Sequence, residues 1–356
     1  MGAMASVDAE SQRLLYRVAQ AYYDEDLTQQ QIARRFGLSR PKVSRLLQRA
    51  RASGVVKIVL VPPSSDMSSL ERGLEARYGL DEAVVVAVTD PRDAAGVARE
   101  LGPAAAECLA RSIRGNEVVG ITWGSTLLAM VDALPARSWP DVTIVQIMGG
   151  LGPVDAREHS ADLTRRVARR FGARLELLPA PGLVSSVAAA EALRADPQIA
   201  ATLRLAARAD IAIVGLGVPS PDSVVMRYGT IISPAEAEAA RRAGAVGDIA
   251  LRFIDADGRP VRLPLNEPFG EPFAEPFGEP FGERIIGLTL DEIRAIPRTI
   301  GVAGGEAKYA VVRAALRAHL IDVLVTDHVT AQRLLDAAED NGAESRRVGH
   351  ERRPER

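Results

Sequence analysis

The chain has 356 residues, 47% of them hydrophobic and 25% charged, with a formal net charge of −2 and one cysteine. That length allows two or three domains with a sizeable core, the lone Cys108 excludes an internal disulfide framework, and no run of 18 apolar residues offers a membrane span. The composition therefore reads as a cytoplasmic protein with no secretory leader.

The net charge conceals an asymmetry. Residues 1–65 carry ten Arg and Lys against five Asp and Glu, and from Leu27 to Ser65 eight basic residues stand without one acid. The remainder carries 34 basic residues against 41 acidic ones. A basic head on an acidic body fits a head that meets a polyanion. Charge alone fits a solvated helix face as well.

Local pattern separates the two. Leu14, Leu15, Val18, Ala19 and Tyr22 recur at helical spacing. Thr28 with Gln31 three residues on spells a capping box. The helix it opens buries Ile32, Ala33 and Phe36 and stops at Gly37, which tolerates a left-handed cap. Ser39 caps a third helix with Pro41 in its first turn, where a missing N–H costs nothing. That helix buries Val43, Leu46 and Leu47. Short helix, Gly turn and polar-faced second helix make a helix-turn-helix, whose second helix enters the DNA major groove by its N-terminal residues. The candidate DNA contacts are Thr28, Gln29, Ser39, Arg40, Pro41, Lys42, Ser44, Arg45 and Arg49. Arg40 and Arg45 are the candidates for base edges, and Arg34, Arg35, Arg49 and Arg51 for phosphates. Gln29 and Gln30 are further candidates for the DNA backbone.

The β-branched run Val55–Val61 reads as a strand ended by Pro62-Pro63. This sets an all-α DNA-binding domain at 8–60, a linker at 61–66, and an effector-binding and oligomerisation domain at 67–337. Strands are expected at 83–88, 117–122, 142–148, 174–178, 210–216, 249–254, 299–304 and 322–326, with Ala- and Arg-rich helices between most of them. That alternation predicts a parallel, doubly wound, Rossmann-like α/β sheet with ligands at the carboxyl ends of the strands. Glycines gather at those ends: Gly124, Gly149 with Gly150, Gly215 with Gly217, and Gly304 with Gly305. In GITWGSTL, Gly124 turns the chain and Ser125 and Thr126 open a helix, which suits an anion and equally suits an ordinary capped turn. Lys308 is one of only three lysines among 44 basic residues. A compact ammonium after a Gly-Gly turn suits a phosphate or a sugar hydroxyl, or is a surface residue that happens to be lysine.

Residues 268–283, PFGEPFAEPFGEPFGE, hold four of the seven phenylalanines at four-residue intervals, with prolines at the same interval that deny a helix. The segment reads as a repeat inserted in a loop, which costs little, or as a Phe-bearing segment that docks on a subunit or covers the ligand site. The tail 338–356 is charged and reads as disordered. The four histidines are scattered, so no metal site is expected.

Taken together, LTQQQIARRFGLSRPKVSRLLQRARASGVVKI, GITWGSTL, VQIMGGLG, ADIAIVGLG, GAVGDIALRFIDADGRPV and AGGEAKYAVVRAALRAHLIDVLVTDHVTAQRLL resemble, in this order, the SorC/DeoR-type sugar-responsive transcriptional regulators, over residues 10–337. The resemblance implies an effector domain similar to the ribose-phosphate and glucosamine-phosphate isomerases. It implies a phosphorylated sugar or polyol at the strand ends, operator DNA as partner, and a homodimer or homotetramer. Its phosphate would meet Gly124, Ser125 and Thr126. Gly149, Gly150, Gly215 and Gly217 would line the pocket, Asp248 would accept sugar hydroxyls, and Lys308 would hold the ligand. Leu251 stands where the family commonly has glycine, and His328 where it often has an acid. The competing expectation is a sugar-phosphate isomerase or hydrolase with a DNA-binding head. That needs a poised general base, for which Asp248 or Glu306 could be named, but no paired acid and base stand out. The reading is therefore a regulator that binds without turnover, with no cofactor, more naturally a repressor.

Overall fold

The computed structural model describes residues 2–56, 67–150, 160–218, 234–261 and 281–337. The strand expected at 55–61 falls mostly outside them, as do the linker at 61–66, His159, most of the Phe repeat and the tail. The chain divides into two compact units, Met1–Ser64 and Ser65–Arg356.

The first unit is helical: α1 (Gly2–Tyr23), α2 (Gln29–Phe36) and α3 (Arg40–Ala52). Val18, Ile32, Val43 and Leu47 form its centre, with Phe36, Leu38 and Leu46 half-buried around them. The α2 start is double-locked, because Gln31 N–H donates to Thr28 Oγ1 at 3.3 Å while Thr28 N–H donates to Gln31 Oε1 at 2.9 Å. Gly37, at φ +65°, supplies the left-handed residue that ends α2. Ser39 holds the N-cap position of α3, but its side chain makes no capping bond.

The second unit contains seven parallel strands in the order β1 (Glu82–Val86), β9 (Val323–Asp327), β8 (Thr299–Val302), β5 (Ile211–Gly217), β2 (Val118–Ile121), β3 (Thr143–Gln146), β4 (Arg174–Glu176). The inner strands are largely apolar on both faces because both are covered. On β5, Ile211 and Ile213 pack toward α5 (Ala94–Ser112), α6 (Ser125–Ala133) and α7 (Ser160–Phe171). Ala212, Val214 and Leu216 face the opposite core, which Val311, Val312 and Ala315 of the helix Tyr309–Arg317 join.

One expected strand is two. Residues 249–254 do not run straight: β6 (Gly247–Ile249) and β7 (Arg252–Ile254) form an antiparallel hairpin, with β6 added to β5 through Leu216 opposite Ile249. The turn residues Ala250 and Leu251 take φ of +52° and +62°, a conformation that hairpin rules assign to Gly, Asn or Asp. The reading of 268–283 as a repeat inserted in a loop does not extend to Phe281 and Gly282. Phe281 is buried against Phe253, ring centres 5.6 Å apart, and Gly282 C=O accepts a bond from the Arg252 guanidinium. Phe281 and Gly282 thus belong to the folded unit.

Candidate functional sites

Two sites emerge, one in each unit. In the first, Ser39, Arg40, Pro41, Lys42, Arg45 and Arg49 are exposed along the leading face of α3, and Ser44 is half-buried. Arg45 Nε reaches back to Pro41 C=O at 3.4 Å, which holds the guanidinium along the helix. Arg35 is ion-paired with Glu25, and Arg51 donates to the Tyr23 hydroxyl at 2.7 Å. These two are committed within the unit. Arg34, Arg40, Lys42, Arg45 and Arg49 have no acid partner among the described residues. A concavity of about 680 Å³ beside them is lined by Tyr22, Thr28, Gln29, Gln30 and Arg40, so Thr28, Gln29 and Arg40 share one surface.

In the second unit a cavity of about 170 Å³ opens at the carboxyl ends of the strands, the position doubly wound sheets give to ligands. Four segments that the sequence singled out converge there. The β2–α6 turn brings Gly124, Ser125 and Thr126; the end of β5 brings Gly215 and Gly217; the hairpin brings Asp248; the β8 loop brings Gly304, Gly305 and Lys308. Gly124 has φ +146° and ψ 160° as the N-cap of α6, a backbone state suited to glycine. The first N–H groups of α6 have no partner within the helix, so its start favours an anion. Thr122 anchors the turn from below: its Oγ1 accepts Gly215 N–H at 3.2 Å.

Asp248 is only 7% exposed and lies across Gly217, where an added Cβ would come within 2.3 Å of Oδ1. Burial pushes its pKa up to about 6, against the Leu251 N–H bond to Oδ2 at 3.0 Å and the Lys308 charge. Burial likewise lowers the Lys308 pKa, and Asp248 partly restores it. Lys308 thus stands in the pocket wall, half-buried, with its side chain part-exposed through the opening.

Gly149 and Gly150 do not line this cavity. A Cβ on Gly149 would overlap the Pro181 backbone at 2.6 Å, and the N–H groups of the two glycines donate to Ile286 C=O and Ala180 C=O. Gly149 serves the close packing of these chain segments. The sequence reading singled out Leu251 but not the other apolar walls, Trp123, Leu127, Leu216, Val218 and Ala250. It also missed Asp327. This fully buried carboxylate accepts Gly305 N–H at 2.7 Å, Thr330 N–H at 2.9 Å and Thr330 Oγ1–H at 2.6 Å. It supports the Gly304–Gly305 turn from behind, close enough to leave no room for a Cβ on Gly304.

A basic helix-turn-helix unit joined to a doubly wound domain with a polar-floored pocket at its strand ends defines a ligand-responsive DNA-binding regulator. Comparison with known proteins gives the family. Residues 63–271 and 275–336 match the family described as "Putative sugar-binding domain", and residues 3–53 match sigma-70 region 4. The chain is 33% identical over 339 residues to the transcriptional regulator LsrR of Klebsiella pneumoniae subsp. pneumoniae, covering 94% of this chain and 96% of that one. It is 31% identical over 330 residues to the deoxyribonucleoside regulator of Bacillus subtilis, covering 93% and 99%. The full-length sorbitol operon regulator SorC from Klebsiella pneumoniae superposes with a TM-score of 0.66 at 29% identity, covering 91% and 98%. The chain belongs to the SorC/DeoR-type sugar-binding transcriptional regulators. These relatives are regulators, which decides against the isomerase or hydrolase alternative. Among the described residues no helix is long and apolar enough to cross a membrane.

Proposed function

We propose that the chain represses a carbohydrate- or polyol-use operon, and that a phosphorylated sugar in the 170 Å³ pocket sets its operator affinity. One observation carries this reading: a helix start, a buried carboxylate and a half-buried lysine share a single small cavity. Gly124, Ser125 and Thr126 would hold the phosphate by N–H groups and hydroxyls, with Lys308 supplying countercharge. Asp248 would accept hydroxyl protons, and Gly215, Gly217, Gly304 and Gly305 let the ligand approach the backbone. Sugar-linked names among the relatives support the ligand class. A pocket at the ends of parallel strands is in keeping with a likeness to the sugar-phosphate isomerase fold. On the DNA side, Arg40 and Arg45 would read base edges, and Thr28, Gln29, Ser39, Lys42, Ser44 and Arg49 would hold the backbone. Two or four copies would present paired recognition helices, and the effector would act by favouring one arrangement of them.

The test is the melting temperature of the purified chain against sugar phosphates, free sugars and polyols. A ligand that binds the native state raises it with affinity and concentration. A selective rise with one phosphorylated sugar is the expected result. A rise only with an unphosphorylated polyol would remove the phosphate from Gly124–Thr126.

A further inference from the structure

The two edges of the parallel sheet are finished differently. β1 closes one edge, and its outward amides are occupied by carboxylates of the preceding helix, α4 (Ser68–Tyr78). Ala83 N–H donates to Glu75 Oε1 and Val85 N–H to Glu71 Oε1, each at 3.0 Å. Two glutamates one helical turn apart thus seal that edge against strand addition. β4 forms the other edge. All three of its residues are exposed, and Leu175 is the one exposed large apolar side chain among the described residues of this unit, the others being Tyr16 and Val55 of the first.

The backbone of β4 is in register for pairing. Arg174 stands opposite Thr143 of β3 and donates its N–H to Val142 C=O at 2.9 Å. Parallel strands alternate the direction of their hydrogen-bonding groups, so Leu175 turns its N–H and C=O outward, away from β3. The three side chains then read cation, apolar, anion: Arg174, Leu175, Glu176. That order is self-complementary under a two-fold axis.

We propose that the β4 edge is where two copies of this chain meet, antiparallel, with Leu175 on the two-fold axis. Leu175 and the partner's Leu175 exchange both backbone bonds. Arg174 then faces the partner's Glu176 in a non-hydrogen-bonded pair, the closer of the two antiparallel pair types. Arg174 already lies 2.8 Å from Asp141 of its own chain, so in the contact it stands between two carboxylates. An isologous contact of this kind closes on itself and runs the sheet through both copies. The proposal rests on the reading of the regulator as self-associating, and gives that assembly a surface.

The test is sedimentation of the full-length chain from low to high micromolar concentration. The expected mass is a multiple of the 38.0 kDa protomer. Arg174→Glu and Glu176→Arg each oppose like charges twice across the axis and weaken self-association tenfold or more. Combining the two swaps restores a part of it, because Asp141 still lies beside position 174, and a merely structural role for either side chain does not explain that recovery. Leu175→Lys sets two ammonium groups against each other on the axis and also weakens it. All are exposed positions, and unchanged melting temperatures verify the fold. A wild-type chain that stays monomeric overturns both the surface and the self-association. An oligomer indifferent to the single swaps, or not recovered by the double swap, overturns the surface alone.

Discussion

Asp248 holds a charge in a place that penalises charge, and the penalty can be measured. A carboxyl with its folded pKa raised from 3.8 to about 6 keeps a proton that the unfolded chain has released. Stability therefore falls as pH rises through that window; the penalty is absent below it and complete above it. By linkage it amounts to roughly 3 kcal/mol at most. Asp248→Asn removes the titration, so urea unfolding should show wild type losing up to that much relative to the variant between pH 4 and pH 7.5. A pH-independent difference would mean that Asp248 titrates normally. Lys308→Met should erase the effector-induced rise in melting temperature while operator binding persists; an unchanged rise would return Lys308 to a surface role. Arg45→Ala should do the converse. It should cost about 1–3 kcal/mol in operator affinity and relax one base position, read by selection from randomised DNA, and leave effector binding intact.

At the scale of elements, the hairpin β6–β7 and the turn at Phe281–Arg284 act as one piece. Arg252 is half-buried and, among the described residues, has no carboxylate at ion-pair distance. It is satisfied by the carbonyls of Gly282, Gly287 and Leu288, and burial lowers its pKa to about 10. Phe281→Ala empties the socket beside Phe253 and should destabilise the unit by about 3–5 kcal/mol. Deleting 268–279, which keeps one PFGE tetrapeptide, should leave the melting temperature and the effector response unchanged. Loss of stability in the deletion variant would show that the earlier repeats hold the fold as well. The parallel strands were legible in the sequence because strands covered on both faces are apolar at nearly every position. The hairpin was not, because Ala250-Leu251 carries no turn residue. Its left-handed turn is held by the Leu251 N–H bond to Asp248 and by burial of Leu251, contacts that no local pattern announces. Asp327 was hidden for a related reason: an acid at the end of an apolar strand says nothing of the Gly305 amide brought to it from 22 residues away. The Gly149-Gly150 pair misled in the other direction, since a glycine needed for close packing and one needed for ligand access look alike in sequence.

At the scale of the whole molecule, the basic and acidic parts make different demands on salt. Binding to DNA releases one condensed counterion for nearly every phosphate neutralised, with a slope of log affinity against log salt of about −0.9 per contact. On α2 and α3, Arg34, Arg40, Lys42, Arg45 and Arg49 have no acid partner among the described residues. Arg35 and Arg51 are held within the unit and contribute less. If Arg34, Lys42 and Arg49, the three not assigned to base edges, meet phosphates, one head gives a slope of about −2.7 and a pair of heads about −5.4. The slope thus counts heads on the operator independently of any hydrodynamic measurement. A value near −5.4 that drops toward −2.7 on adding effector would mean that the ligand frees one head while the other stays bound. A slope that holds while affinity falls would mean that both heads remain engaged and that the ligand acts on base contacts or on DNA shape. The first outcome fits an effector that changes the spacing of paired recognition helices, because a two-fold site that no longer matches its operator loses phosphate contacts in half-site blocks.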